Sequence, residues 1–386
     1  MKTNLLILII LFIFSGCKKD EDKTIYQYSV PETFADDLET ASLESVDMDK
    51  VEICKMIDYI NSIEGNNIHN ILIFRNNKLV FEQYFQGYSL NFANANLNGE
   101  LMEYNRETDH FIASISKSVT SVIFGVAVNM GYISDLNKKI IDYFPEYSDI
   151  LIDGKENITV ENVLTMQCGL EYDESTYLYN DSRSDTYQMT HSEDPIRFVL
   201  SKPLTTTPGT EFHYNTGSPN ILAAIIEKET GETFFNWANT NFFDAMKIQG
   251  GKWSIMANGV PMVSGGLYLR ARELSKIGLM FLNDGIWLGK HFLSADWIEK
   301  STFEQVSTGN SFFENTSYGF QWWITNFTVN KKSCKCYFGA GWGDQFLFII
   351  PDLELVVEFN SGNFATNANV SPLILLENYI LKAINE

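Results

Sequence analysis

The sequence contains few cysteines, few basic residues and no motif for a bound metal or nucleotide. Its five cysteines include no Cys-x-x-Cys pair, its five histidines form no HExxH or HxH pattern, and GxGxxG is absent. A metal site, a disulfide framework and a dinucleotide-binding loop are therefore not indicated. The chain carries 28 Lys and Arg against 49 Asp and Glu, a formal net charge of -21, with no long basic run. This charge argues against a surface for nucleic acid or for an anionic membrane.

The N-terminus resembles an export signal. Lys2 precedes an apolar run, residues 5–14, that is too short to span a bilayer comfortably. Small residues then lead to Cys17, as in a bacterial lipoprotein signal, so residues 1–17 are predicted to be a signal peptide that ends at a lipidated Cys17. We therefore expect an exported bacterial cell-envelope lipoprotein, periplasm- or surface-facing, that meets the membrane through this anchor only. In the alternative, a plain secretory signal, Cys17 is an ordinary residue.

The remainder predicts one α+β domain over residues 33–386, behind a charged, poorly apolar tether at 18–32. Because two strands alone are marginal, we expect N- and C-terminal strands to close one antiparallel sheet flanked by helices. The middle of the chain, roughly 114–315, is expected to form a helical lobe. Strands are predicted at 71–75 and 78–85, joined by a turn at Asn76 and Asn77, and at 318–324, 335–338, 345–350 and 353–359. Helices are predicted at 47–63 with Asp47 as cap, at 111–131, 158–166 and 220–228, and after the cap Ser371.

The stretch FIASISKSVTSVIFGVAVNMG, residues 111–131, has the apolar spacing of a packed helix and one large cation, Lys117. Near the N-terminus of a mostly buried helix, the helix dipole and desolvation both disfavour an ammonium. Ser114 lies three residues earlier, so its hydroxyl and the Lys117 amine share one face. A serine beside a lysine that is driven toward its neutral form is an activatable nucleophile. Ser-x-x-Lys also arises by chance, as at Ser15 and Lys18, so other stretches must support this interpretation.

A long polar stretch, residues 173–194, follows the helix predicted at 158–166. It is too long for a simple connection and has few aliphatic residues. It is either a loop over a cleft, with Tyr172, Tyr177 or Tyr179 meeting substrate, or a solvated insertion.

Two further stretches carry candidate site residues. Tyr214 lies in a turn just before a helix, where a tyrosine either packs or directs its hydroxyl into a cleft. Residues 339–343, Gly-Ala-Gly-Trp-Gly, follow a short predicted strand. Glycines there either let a ligand approach a strand edge or form an ordinary turn.

Taken in order, these stretches resemble the serine β-lactamase-related hydrolases, the group of class C β-lactamases, penicillin-recognising peptidases, family VIII esterases and nylon-oligomer hydrolases. The resemblance runs from TASLESVDMDK through SISKSVTSVIFGVAVNMGYISD, YFPEY, ITVENVLTMQCGLEYDE, PGTEFHYNTG and SGGLYLRARELSKIGLMFLNDGIWLG to the final strands. It implies a β-lactamase/transpeptidase-like fold and a serine hydrolase that requires no cofactor and no metal.

The resemblance also implies roles for individual residues. Ser114 would attack a carbonyl and form an acyl-enzyme, while Lys117 and Tyr214 take its proton to the leaving group as one coupled pair. In that pair the nearby cation favours the phenolate. The backbone N–H groups of Ser114 and Trp342 would hold the oxyanion. The candidate substrate-binding residues are Tyr172, Thr216, Gly339 and Gly341.

Two departures from the lactamase pattern narrow the expected substrate. Lactamases of this kind usually carry Tyr-x-Asn and Lys-Thr-Gly, whereas the matching segments here read Tyr-Asn-Thr at 214–216 and Gly-Ala-Gly at 339–341. The lysine that would meet a substrate carboxylate is missing, so we expect a small-molecule or peptide-like ester or amide substrate. The alternatives are a penicillin-binding peptidoglycan peptidase or weak β-lactamase, and a non-catalytic ligand-binding homologue.

Overall fold

The computed structural model describes residues 26–94, 96–364 and 370–385, so the signal predicted at 1–17, with Cys17, lies outside the described residues. The strands are β1 (Glu39–Thr40), β2 (Ile68–Arg75), β3 (Lys78–Tyr84), β4 (Gln86–Leu90), β5 (Asn98–Glu103), β6 (His110–Phe111), β7 (Lys252–Trp253), β8 (Leu267–Leu269), β9 (Ile286–Trp287), β10 (Lys290–His291), β11 (Val306–Gly309), β12 (Thr316–Tyr318), β13 (Trp323–Val329), β14 (Lys332–Gly341), β15 (Gln345–Ile350) and β16 (Leu355–Ser361).

Most of the helices lie between β6 and β11. The α-helices are α1 (Lys50–Ser62), α2 (Ile115–Asn129), α3 (Ile140–Tyr143), α4 (Val160–Leu164), α5 (Asp185–Thr190), α6 (Pro195–Ser201), α7 (Ser218–Thr230), α8 (Phe234–Ala238), α9 (Ala271–Leu282), α10 (Ala295–Ser301) and α11 (Pro372–Leu375). Single π-helical turns extend α8 (Asn239–Phe243) and α11 (Leu376–Ile380), and short 3-10 turns lie at Glu44–Val46, Pro145–Tyr147, Lys155–Asn157 and Pro351–Leu353. Within the described chain, no helix combines the length and the apolar character that crossing a membrane requires.

One nine-stranded sheet joins the two ends of the chain, in the order β1-β3-β2-β16-β15-β14-β13-β12-β11. All neighbours are antiparallel except β1 and β3, and the N- and C-terminal halves meet where β2 pairs with β16. Asn76 and Asn77 turn the β2–β3 hairpin with φ of +51° and +61°, the two positive values that a type I′ turn requires. The predicted α+β organisation, with a sheet closed by strands from both ends, is confirmed.

Both faces of this sheet are buried, so alternate side chains of each strand enter different cores. Leu72 and Phe74 of β2 pack with α2, α9 and the helical lobe, whereas Ile71 and Ile73 pack on the opposite side with α1 and the C-terminal helix. The helical lobe also contains a small sheet, β6-β8-β7. That sheet matters for function because β6 leads directly into α2.

The strand predicted at 318–324 is wrong: the structure divides it between β12 and β13 around a tight reversal. Gln321 has φ of +64° there, and its side-chain amide donates to the Val163 and Leu164 carbonyls at 3.0 and 2.8 Å. Ser118 of α2 in turn donates to the Gln321 carbonyl at 2.7 Å. These bonds come from segments distant in sequence, which is why local periodicity does not show the turn.

Two predicted helix starts also change. The helix predicted from residue 111 begins at Ile115, because Phe111 pairs in β6 instead. The first helix is capped by Asp49 rather than Asp47, since the Asp49 carboxylate accepts the Val51 N–H at 2.8 Å. Asp47, with φ of +57°, closes the preceding 3-10 turn.

The described part of the predicted tether is attached to the domain. Tyr26 donates its N–H to Asp58 at 2.9 Å and its hydroxyl to Gln83 at 3.0 Å. The Tyr28 hydroxyl donates to the Val80 carbonyl at 2.9 Å. From Tyr26 onward the chain is therefore packed against the domain rather than free.

Candidate active site

Ser114 is the N-cap residue of α2 and follows β6 through a sharp bend. The N–H of Ile112 donates to the Leu267 carbonyl at 3.1 Å, which fixes the approach to the helix against β8. Ala113 then adopts φ of +46°, a left-handed conformation that costs a residue with a Cβ about 1–3 kcal/mol. Beyond this bend Ser114 stays half-buried, while every residue from Ile115 to Ala127 is buried.

Hydroxyl groups along α2 hold the helix in place. Ser118 donates to the Gln321 carbonyl at 2.7 Å, and Thr120 donates to the Val263 carbonyl at 2.8 Å. Ser121 donates to the Phe320 carbonyl at 2.8 Å. The polar stripe of the helix is thus mainly structural. Ser116 likewise donates to the Ala113 carbonyl at 2.6 Å, whereas Ser114 and Lys117 face the cavity.

Lys117 is one turn further along α2 and only 1 % exposed. Its ammonium donates to the Ser114 hydroxyl oxygen and to the Ser264 carbonyl, both at 2.8 Å. Burial lowers the pKa of Lys117 to about 8, although the negative charge of Glu174 opposes this shift. An amine with this pKa is partly neutral near neutral pH, and in that form it can accept the proton of Ser114.

Tyr214 completes a cluster of three protonatable groups. Its ring stacks on Trp323, with centroids 5.7 Å apart, and Nζ of Lys117 lies 4.9 Å from the centroid of its ring. Burial first and then Tyr318 raise the pKa of Tyr214 well above its usual value, and the neighbouring Ser114 opposes this rise. The prediction that the cation favours a phenolate is therefore wrong, because desolvation outweighs it. Tyr214 is a neutral phenol, and Lys117 is the group whose pKa falls.

Glu174 is a member of this cluster that the sequence did not reveal. One oxygen of its carboxylate accepts the Thr216 N–H, and the other accepts the Tyr179 hydroxyl at 3.4 Å. Burial raises the pKa of Glu174, and the charge of Lys117 opposes that rise. A single carboxylate in a polar stretch gives no sequence signal. Its place depends on how the 173–194 segment folds onto the turn before α7.

A cavity of about 530 Å³ opens beside Ser114. Lys117, Thr216 and Trp342 line it, as does Tyr179 from the 173–194 segment. That segment is not structureless, because it contains α5, whose residues Thr186, Tyr187 and Thr190 also face the cavity. Of the two interpretations of this segment, the structure supports the wall of a cleft. Sequence reasoning missed the rest of the apolar wall, formed mainly by Phe92, Phe111, Ile255, Met256, Met262 and Tyr268.

Three predicted substrate-binding residues lie elsewhere. Tyr172 is 4 % exposed, and its hydroxyl contacts the Thr186 hydroxyl at 3.3 Å inside the core. Gly339 and Gly341 belong to β14 rather than to a turn, and a Cβ on Gly341 would lie 2.5 Å from the Ile112 carbonyl oxygen. These glycines let β14 approach the start of α2 closely. None of the three lines the cavity, so the structure does not support them as substrate contacts.

Trp342 is held at the mouth of the cavity by aromatic neighbours. The centroid of its ring lies 5.2 Å from that of Tyr179 and 6.0 Å from that of Phe92. The side-chain amide of Gln345 donates to the Trp342 carbonyl at 3.3 Å and fixes the turn. Within the described chain, the N–H groups of Ser114 and Trp342 donate to no backbone carbonyl. Ser114 and Trp342 both line the cavity.

Comparison with known proteins places this cluster in context. A family model described as Beta-lactamase matches residues 69–371. The 6-aminohexanoate-dimer hydrolase of Paenarthrobacter ureafaciens is 26% identical over 276 residues, which cover 67% of this chain and 68% of that protein.

Two solved structures share the fold. A family VIII carboxylesterase is 15% identical and matches with a TM-score of 0.60 over 86% of this chain and 96% of its own. A penicillin-binding protein homologue from Caulobacter crescentus is 14% identical and matches with a TM-score of 0.63 over 86% of this chain and 97% of its own. The architecture is thus the β-lactamase/transpeptidase-like fold. Because the family model spans most of the chain, including Ser114, Lys117 and Tyr214, the protein belongs to the beta-lactamase family.

Proposed function

We propose that this protein is a serine hydrolase that cleaves an ester or amide bond through an acyl-enzyme on Ser114, with residues 33–386 as its single catalytic domain. One observation carries the proposal: a buried amine with a pKa of about 8 lies 2.8 Å from the Ser114 hydroxyl oxygen. Relatives named as a 6-aminohexanoate-dimer hydrolase and a carboxylesterase support the choice of bond. The segment at 339–341 reads Gly-Ala-Gly, so the lysine of the Lys-Thr-Gly pattern is missing. This difference sets the chain apart from the lactamases.

The chemistry follows from the protonation states of the cluster. Neutral Lys117 takes the proton of Ser114 as the serine oxygen attacks the carbonyl carbon. The resulting oxyanion accepts hydrogen bonds from the N–H groups of Ser114 and Trp342. The leaving group departs with a proton from the Tyr214 hydroxyl, which Lys117 then reprotonates. Water, deprotonated through the same pair, attacks the acyl carbon, and the serine oxygen leaves with the returned proton.

Turnover of a panel of esters and amides by the Ser114→Ala variant tests this proposal. The wild-type protein should hydrolyse at least one member, and the variant should lose that activity while keeping its thermal unfolding transition. Ser62→Ala, an exposed serine at the end of α1, is the matched control and should behave as wild type. Turnover retained by Ser114→Ala would refute the proposal. Stable acylation by penicillin without ester turnover would instead favour the peptidase or weak lactamase.

We propose separately that the protein is exported and anchored through a lipid on Cys17, on the strength of the leader sequence alone. Expression of the full chain with labelled palmitate tests this proposal. The label should enter the wild type, and Cys17→Ser should remain unlabelled. Equal labelling of both forms would overturn it.

A further inference from the structure

The cavity beside Ser114 has an apolar wall that extends to its mouth. Ile255 and Phe92 line it although their side chains are 58% and 44% exposed. Ala257 donates its N–H to the Thr190 carbonyl at 2.9 Å, which ties this part of the wall to α5. Trp342 and Tyr179 line the cavity beside Phe92. Large apolar side chains left accessible around a cleft indicate a ligand that covers them.

The same cavity offers almost no charge to a ligand. Among the described residues that line it, Lys117 is the single Lys, Arg, Asp or Glu, and His191 is the single histidine, its Nδ1 atom 2.8 Å from the Tyr187 carbonyl oxygen. Its ammonium is already bonded to Ser114 and to the Ser264 carbonyl, and Glu174 places a carboxylate behind it. Lys252 lies outside the lining, with its ammonium 4.9 Å from the centroid of the Tyr268 ring. A substrate carboxylate in the cavity would therefore lose its hydration without gaining a free lysine or arginine as its partner.

We infer that the site takes uncharged esters or amides with an apolar aliphatic or aromatic arm, and that it discriminates against substrates with a carboxylate on that arm. This inference rests on the proposed function and adds the substrate class to it. The apolar wall formed by Phe92, Ile255, Met256, Met262 and Trp342 covers the arm, while Ser114 attacks the carbonyl.

A matched substrate pair tests the inference on the full-length protein. In p-nitrophenyl valerate and mono-p-nitrophenyl glutarate, a terminal methyl is exchanged for a carboxylate and the rest of the chain is the same. We expect kcat/KM for the glutarate to be lower by about 100-fold, because the carboxylate is desolvated without a partner. From acetate to valerate, kcat/KM should rise about three- to fourfold per methylene. If kcat/KM for the glutarate lies within threefold of kcat/KM for the valerate, the inference is overturned.

Variants at the mouth of the cavity sharpen the test. Ile255→Arg supplies the missing cation and should raise kcat/KM for the glutarate relative to the valerate by about tenfold. Ile255→Gln, which is polar but neutral, should leave that ratio within threefold of the wild type. If the glutarate is a good substrate and loses rate in Lys252→Gln, the carboxylate is bound by Lys252 and the inference fails.

A binding measurement separates this inference from the proposed function. Ser114→Ala should bind phenyl valerate at least about tenfold more tightly than monophenyl glutarate in calorimetric titrations. This comparison needs no turnover, so it judges the cavity even if Ser114 proves inert. Equal or inverted affinities would overturn the substrate class while leaving the nucleophile to be judged by its own reaction.

Discussion

The Nζ atom of Lys117 lies 2.8 Å from the Oγ atom of Ser114, at the start of a helix that is buried in the core. Burial makes the ammonium more acidic by lowering the pKa of Lys117 to about 8, and the hydrogen bond directs the nitrogen at the serine. The two residues are three positions apart on α2, so the helix itself sets their geometry.

The rate of acylation should depend on deprotonation of Lys117. We expect kcat/KM for a neutral ester to rise with pH and to level off above an apparent pKa near 8, because the neutral amine is the base. Steady-state rates from pH 6 to pH 10 measure this profile. A profile that is flat across this range would show that Lys117 is not the group that takes the proton.

Glu174→Gln should move that profile. Removing the carboxylate removes the charge that opposes the lowered pKa of Lys117, so the profile should shift to lower pH. The glutamine also loses the charge that holds the Thr216 N–H, so kcat should fall about tenfold. Glu171→Gln, at an exposed position three residues earlier in the chain, is the control and should change neither the profile nor kcat. An unshifted profile in Glu174→Gln would contradict this account of the electrostatics.

Tyr214→Phe should affect substrates according to their leaving groups. Without the phenol, an alkoxide leaving group lacks its proton donor, and ethyl esters should slow by about 10²- to 10⁴-fold. A p-nitrophenolate leaves without protonation, so p-nitrophenyl esters should slow much less. Equal losses for the two ester types would instead mean that the Tyr214 hydroxyl acts in a step common to both, because phenylalanine keeps the ring that packs on Trp323.

Lys117→Met should stabilise the fold while removing activity. The folded pKa of Lys117, about 8, lies below the ordinary value of roughly 10.4, so the unfolded chain binds more protons between these two pH values. The stability of the wild type therefore rises with pH across that window and is lowest, by about 3 kcal/mol, below pH 8. Lys117→Met should be more stable by up to that amount at pH 7, and the difference should vanish above pH 10.5. Denaturant unfolding at both pH values measures it, and a constant difference would contradict the assignment.

The features of the fold and of the site that the sequence predicts are those determined by neighbouring residues in the chain. The Ser114–Lys117 pair depends on helical spacing, and the β2–β3 turn depends on two adjacent asparagines. The reversal at Gln321 could not be predicted, because carbonyls of a helix some 150 residues away in sequence stabilise it. The role of Glu174 could not be predicted for the same reason, since its carboxylate accepts a hydrogen bond from the turn before α7.

The glycines at 339–341 show a different limit. Their composition indicates that something approaches the backbone closely, but it does not say what. In the structure the neighbour is the start of α2, including the carbonyl of Ile112, rather than a ligand. Tyr214 illustrates the competition between charge and burial: the sequence indicates a nearby cation, whereas the depth of the phenol, which decides its pKa, depends on packing against Trp323 and Tyr318.

The most direct test of the central claim is the intact mass of the protein after treatment with a fluorophosphonate, which reacts with an activated serine. We expect a single adduct on the wild type, faster formation above pH 8 than below it, and no adduct on Ser114→Ala. An adduct that persists in Ser114→Ala, or a wild-type protein that stays unlabelled, would contradict the assignment of Ser114 as the nucleophile.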